Sequence, residues 1–239
     1  MLSQLGSLPL IVMTILGITA CSDDQASSEP AGDLMLMFME SEPGIDPYPL
    51  RMLVTKNFLR MDDGVDESSY TLMDRVTGEI YAVNHENRTV MMVLAPKTDN
   101  QVKRKLVIDA RRIKDNNIPE VGGKQPIHMQ LLVNDKVCND MYVVKDLHPQ
   151  AVAAIREFKR NLAKTHLANL EKTPEDLRDD CFLAHDIKHP GRSLQFGLPI
   201  QEQEANGLKR ILVDYKQNAE FKTDLFGVPS DYVQMNAGR

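Results

Sequence analysis

Several groups of side chains are of a type and spacing that could do chemistry. His185, Asp186 and His189 form His-Asp-x-x-His, and two histidines four apart on a helix can share a zinc ion. Pro190 and Gly191 follow at once, and no glutamate of the His-Glu-x-x-His type lies between the histidines, so a solvated helix end is expected. Met35, Met37 and Met39 alternate, which on a strand puts three thioethers on one face, a set that suits Cu(I). Packing is the expectation there: Leu34, Leu36 and Phe38 occupy the other face, the strand is buried on both sides, and methionine fills irregular gaps. Asp62, Asp63 and Asp66 hint at calcium, yet the twelve-residue loop with its closing bidentate glutamate is missing, and a solvated turn is expected. His166 lies near an apolar helix stripe and reads as a packing residue. For hydrolysis one wants a nucleophile, a base and an orienting group. There is no Gly-x-Ser-x-Gly, and Gly122-Gly123-Lys124 is too short to cradle a phosphate and reads as a turn. No catalytic, metal-binding or cofactor-binding residue is assigned, and the chain is expected not to be an enzyme.

The cysteines carry a different chemistry. Residues 1–20 hold no Lys, Arg, Asp or Glu, and the apolar run Leu8–Ile18 is short for a membrane span, which takes about 20 apolar residues. It ends Ile18-Thr19-Ala20-Cys21, which resembles the bacterial lipobox. That resemblance implies a signal peptide over 1–20, cleavage before Cys21, and lipidation of its thiol. Small residues give a protease access to the backbone, the thiolate takes the lipid, and two or three acyl chains anchor stably where one does not. Ser22, rather than Asp, at the next position implies outer-membrane sorting by analogy with Gram-negative lipoproteins. Cys138 and Cys181 remain, and an even pair in an exported chain reads as a disulfide. Closing a loop of that length is worth roughly 4 kcal/mol in the chain-entropy model. Two buried free thiols are the alternative. A net charge of −6 disfavours nucleic acid and electrostatic docking on anionic lipid, so the expected membrane contact is the anchor.

The elements that position these residues change in texture along the chain. Residues 21–32 are small and polar and read as a tether; 33–239 read as a single domain. From Asp33 to about Met92 the pattern is β: Leu34–Met39, Leu50–Met61, Tyr70–Val76, Glu79–Asn84 and Thr89–Leu94, with Thr77-Gly78 as a hairpin turn. Val102–Ala110, Ile127–Val133 and Met141–Val144 continue it. His148-Pro149 opens a helix whose Ala151, Ile155, Phe158 and Leu162 share a face. Thr173-Pro174 is expected to start a second helix capped by Thr173, with Leu177, Cys181 and Ala184 on one side. Pro199–Ala205 and Leu208–Lys216 then flank Asn206-Gly207 as a hairpin. This predicts an α+β fold: a strongly curved, half-barrel-like antiparallel sheet of roughly seven to ten strands, with two helices packed on one side from a helical insertion at about 148–190.

The order of short motifs resembles an uncharacterised family of bacterial exported proteins and lipoproteins similar to the lipoprotein-carrier half-barrel. The motifs are Arg60-Met61-Asp62, Tyr70-Thr71-Leu72-Met73-Asp74-Arg75, Ile80-Tyr81, Cys138-Asn139-Asp140-Met141-Tyr142, Gly197-Leu198-Pro199-Ile200 and Phe226-x-x-Pro229-x-x-Tyr232. The resemblance implies helices laid across the concave side of a curved sheet, and carries no catalytic residue. It leads to the expectation of an envelope lipoprotein whose concave face binds an apolar ligand, such as an acyl chain, or a partner protein. The alternative is a structural or interaction lipoprotein with a filled core. Leu34–Met39, Leu50–Met61 and Thr89–Leu94 are expected to line the concave face, where only one of the neighbours Met91 and Met92 can point inward.

Overall fold

A computed structural model describes residues 32–93, 102–115, 118–170 and 172–237. Cys21, the apolar run before it and nearly all of the expected tether lie outside the described residues. The described residues belong to one compact unit.

Its strands are β1 (Leu34–Ser41), β2 (Tyr48–Val54), β3 (Phe58–Asp62), β4 (Tyr70–Asp74), β5 (Ile80–Asn84), β6 (Thr89–Val93), β7 (Ile108–Ile113), β8 (Ile127–Val133), β9 (Lys136–Val144), β10 (Leu198–Glu204), β11 (Lys209–Gln217) and β12 (Val233–Ala237). They make one open, curved 12-stranded sheet in the order β12-β6-β5-β4-β3-β2-β1-β11-β10-β9-β8-β7. The fold class is α+β, as the sequence pattern predicts. Three details differ. The strand count exceeds the expected seven to ten. The stretch Leu50–Met61 is two strands, because Thr55 Oγ1 accepts from the backbone N–H groups of Asn57 and Phe58 and turns the chain. The sheet is also mixed, since the C-terminal segment returns as β12 parallel to β6.

Helix α1 (Pro149–Leu170) lies on the concave face. Proline at its first turn leaves no lost donor, and His148 before it takes φ 47° to aim the chain onto the sheet. Ala151, Ala154 and Ile155 are buried against Leu34, Leu36, Phe38, Leu59 and Met73, with Phe158 and Leu162 packed beside them. β1 is buried on one face only: Leu34, Leu36 and Phe38 are sealed in, while Met35 and Met37 are half-buried and Met39 is 38% exposed on the convex side. The expectation of burial on both sides fails because, among the described residues, no helix covers the convex side there.

The second helix also departs from expectation. Thr173 caps nothing; a 3-10 turn spans Glu175–Leu177, and α2 (Asp180–Phe182) is capped by the Asp179 side chain, which accepts from Phe182 N–H at 2.9 Å. It runs on as a π-helical turn, Leu183–Lys188. Leu177 is 70% exposed, so it does not share the buried face of Cys181 and Ala184: the chain changes direction between them. Cys138 and Cys181 are disulfide-bonded, with Cα atoms 5.3 Å apart, which staples α2 to β9.

At the far end, Gly197 sits where a Cβ would come within 2.3 Å of the Val144 carbonyl, at φ 135°. Only glycine lets the chain enter β10 that close to β9.

Candidate functional site: an uncovered apolar row on the concave face

Side chains of cross-strand partners stand on the same face of a sheet, so the register reads out the concave surface row by row. One row is Leu59, Met73, Ile80 and Val93, and α1 lies over it. Two residues further along each strand the next row is Met61, Thr71, Ala82, Met91 and Met235, crossing β3, β4, β5, β6 and β12 in turn. Among the described residues no helix covers this row. With Leu50 at one side it forms an open groove of about 540 Å³. Thr71 and Ala82 are short and make its floor, while three methionines, 61, 91 and 235, stand at its ends and wall. Met91 is 37% and Met235 45% exposed. Beyond it the row of Asn84 and Thr89 makes a polar rim. Four strand spacings give the groove a length of about 19 Å.

Alternation assigns the two neighbouring methionines: Met91 lines the groove, and Met92, opposite Tyr81, points to the convex side. Of the strands expected to line the concave face, β2, β3 and β6 supply groove residues. β1 supplies none, because Leu34, Leu36 and Phe38 are consumed by packing under α1. Met235 was not legible as a lining residue, since a tail after Pro229 carries no sign that it will rejoin the sheet.

The residues singled out for metal chemistry fall elsewhere. Asp62 does not sit in a solvated turn, whereas Asp66 does lie in a partly exposed one. Asp62 is 5% exposed and bridges Arg51 and Arg60, with Nε to carboxylate distances of 2.7 Å in both pairs; Asp66 takes Arg51 Nη2 at 2.9 Å. Asp63 does close its turn, accepting from Val65 N–H. Carboxylates matched by two guanidiniums leave little for a cation. Met35, Met37 and Met39 lie on the convex face beside Lys216, Arg51 and Ile211, the first two half-buried and the third exposed.

His185 and Asp186 are also not at a solvated end. The π-helical turn tucks His185 against β9 and β10, in a polar cavity of about 230 Å³ whose walls include Asn139, Phe182, Arg192, Glu202 and Glu204. Burial, helped by Arg192, Lys159 and His189, presses the imidazole pKa down to about 4. Burial raises the Asp186 and Glu204 carboxyls. Asn139 donates to Glu202 at 2.5 Å, while its own carbonyl oxygen and both His185 ring nitrogens have no partner among the described residues. His189 is exposed and ends the turn. His166 is half-buried with its ring 5.1 Å from Phe182, a packing position. Gly122 and Gly123, at φ 59° and 70°, form a turn closed by a bridge between Val121 and Lys124. Among the described residues, no group of three or more His, Cys, Asp or Glu is placed to hold a metal ion, and no helix is long and apolar enough to cross a membrane.

The site is therefore an apolar groove on the concave face of an α+β protein with an open curved sheet. No family model matches the chain, and no curated protein matches it. Some solved structures are similar to it at low identity and low TM-score. An uncharacterized conserved protein from Thermus thermophilus is similar at 8% identity and TM-score 0.43, over 86% of this chain and 91% of that one. A structure of PNGF-II matches at 11% and 0.41, over 87% of this chain and 32% of that one. MucB matches at 10% and 0.39, over 85% of this chain and 60% of that one. This chain thus spans about a third of PNGF-II and under two thirds of MucB. Likeness at this level assigns neither a family nor an activity.

Proposed function

We propose that this protein is a lipid-anchored envelope protein, facing the periplasm from the outer membrane, that holds a chain-like apolar ligand, an acyl chain, in its concave groove. The observation that carries the reading is the uncovered row Met61, Thr71, Ala82, Met91 and Met235 beside a row sealed by α1. Its volume lies within the roughly 300–1,000 Å³ range of small-ligand sites. A groove long in one direction and floored by Thr and Ala suits a linear chain better than a ring. Methionine walls adapt to such a chain without a fixed shape, and each methylene buried contributes about 0.8 kcal/mol. The anchor rests on Ile18-Thr19-Ala20-Cys21, with Ser22 supporting outer-membrane placement.

One observation favours a second reading, a non-catalytic structural or interaction lipoprotein with a filled core. Ala151, Ala154 and Ile155 of α1 already fill the middle of the concave face, so ligand space is confined to one end.

Gentle extraction in a detergent-free polymer followed by native mass spectrometry decides between them. The ligand reading expects an adduct of acyl-chain mass beyond the anchor's own lipids. Its absence, together with failure to take up a spin-labelled or fluorescent fatty acid, would leave the filled-core reading.

A further inference from the structure

A second surface, independent of the groove, has the opposite character. An open cleft of about 450 Å³ lies between α1 and the loop 189–195. Arg156, Arg160, His189 and Arg192 are its charged or titratable lining; no Asp or Glu lines it. In a chain of net charge −6 this is a local reversal of sign. Among the described residues none of the three guanidiniums forms a salt bridge with a carboxylate, and Asp109 on β7 acts on Arg192 only at longer range. Arg192 Nη1 is buried with no hydrogen-bond partner, on a side chain that stands in the wall shared by this cleft and the His185 cavity.

The cleft is built rather than incidental. Arg156 Nη2 donates to the Leu194 carbonyl at 2.8 Å, which fixes one guanidinium against the loop. The loop itself is closed by successive backbone bonds, Arg192 N–H to His189 O, Leu194 N–H to Gly191 O and Gln195 N–H to Arg192 O. Gly191 takes φ 72°, a conformation that L side chains rarely adopt, and a Cβ there would come 3.2 Å from Arg156 Cγ, so the loop lies close against the helix. Arg156 and Arg160 are four apart on one helix, a like-charge spacing that destabilises a helix unless something between the charges compensates.

We infer that this cleft binds a phosphate group, carried as an anionic monoester. Guanidinium forks match phosphate oxygens two at a time, and three forks with a neighbouring imidazole suit an anion of several oxygens and more than one charge. The same chemistry is offered by a soluble phosphomonoester and by the headgroup of a phosphatidic lipid.

The full-length chain in a non-ionic detergent is titrated calorimetrically with inorganic phosphate, glycerol 3-phosphate and dihexanoyl phosphatidic acid, with putrescine as a cationic control. Saturable binding of at least one phosphate probe, none of putrescine, and at least a tenfold loss of affinity in Arg160→Gln and in Arg192→Gln are expected. Equal binding of glycerol 3-phosphate and the short lipid assigns recognition to the headgroup alone; binding confined to the lipid assigns a membrane source. Arg160 is exposed, so its variant keeps the fold, which unchanged circular dichroism verifies. Absence of binding by all three phosphate probes at millimolar concentration, or binding that both variants retain in full, overturns the assignment. Because the groove shares no lining residue with the cleft, loss of fatty-acid uptake would leave this result standing.

Discussion

Arg60 Nη1 donates to the Leu225 carbonyl at 2.7 Å, joining two residues 165 positions apart. Arg60 stands on the convex face of β3 and is 1% exposed, because the segment leading into β12 crosses over it. Its remaining donors go to Asp62 and to the Asp66 carbonyl, and its guanidinium carbon lies 4.0 Å from the Tyr70 ring centroid. Tyr70 in turn donates to the Gly227 carbonyl at 2.5 Å, Phe226 stacks on Phe58, and Tyr232 Oη meets His85 Nδ1 at 2.7 Å. The tail is thus held by the convex face, and that hold delivers Met235 to the groove on the other side.

Arg60→Met removes one partner of a buried pair and leaves Asp62 to Arg51 alone. The expected loss is about 3–5 kcal/mol of unfolding free energy in a denaturant titration. Tyr70→Phe should cost only about 1 kcal/mol, and should raise hydrogen exchange selectively in residues 225–237. Uniform exchange across the sheet in Tyr70→Phe would contradict this account of the tail.

Met91→Gln and Met92→Gln form an internally controlled pair. Both change thioether to amide at adjacent positions of β6, but only Met91 faces the groove. Fatty-acid retention should fall several-fold in Met91→Gln and stay unchanged in Met92→Gln, whose effect on stability should not exceed about 1 kcal/mol. Equal loss in both variants would remove the groove as the site.

Breaking the Cys138–Cys181 bond by Cys181→Ser should cost about 2–5 kcal/mol. The loss should be accompanied by faster exchange in 180–188, the segment that the bond holds on β9. Non-reducing peptide mapping of the native protein should show these two cysteines linked; two alkylatable thiols would contradict it.

His185 gives a pH dependence of known sign. Its folded pKa, about 4, lies below the unfolded value of 6.5. As pH falls between those values the unfolded chain takes up a proton that the folded one refuses, so stability is lost on acidification. Asp186 and Glu204, whose folded pKa values are raised, work in the opposite direction. Comparing His185→Gln with the parent isolates the histidine: the parent should lose on the order of 1–2 kcal/mol more than the variant between pH 6.5 and 4, allowing for partial exposure. Parallel pH profiles would show that the imidazole titrates freely.

Cys21→Ala should leave the protein unlipidated, in the aqueous phase on detergent partitioning. Mature protein that still enters the detergent phase would contradict the anchor.

The sequence by itself determined what depends on local pattern. Alternation gave most of the strands, Pro149 and the 151–155–158–162 stripe gave α1, Asn206-Gly207 gave its hairpin, and the pairing of Cys138 with Cys181 followed from count alone. Each of these is settled by neighbours a few residues away or by simple arithmetic. Where structure departs from local pattern, the deciding contact is distant. Asp62 looks like part of a solvated turn until Arg60, Arg51 and a tail from the far end of the chain enclose it. His185 looks like a helix end until a disulfide and a π-helical turn press it against β9. The uncovered row is a property of which row of the sheet α1 crosses, and the arginine cleft needs a helix and a loop some thirty residues apart to meet. Such sites are made of side chains brought together by folding, so no window of sequence contains them.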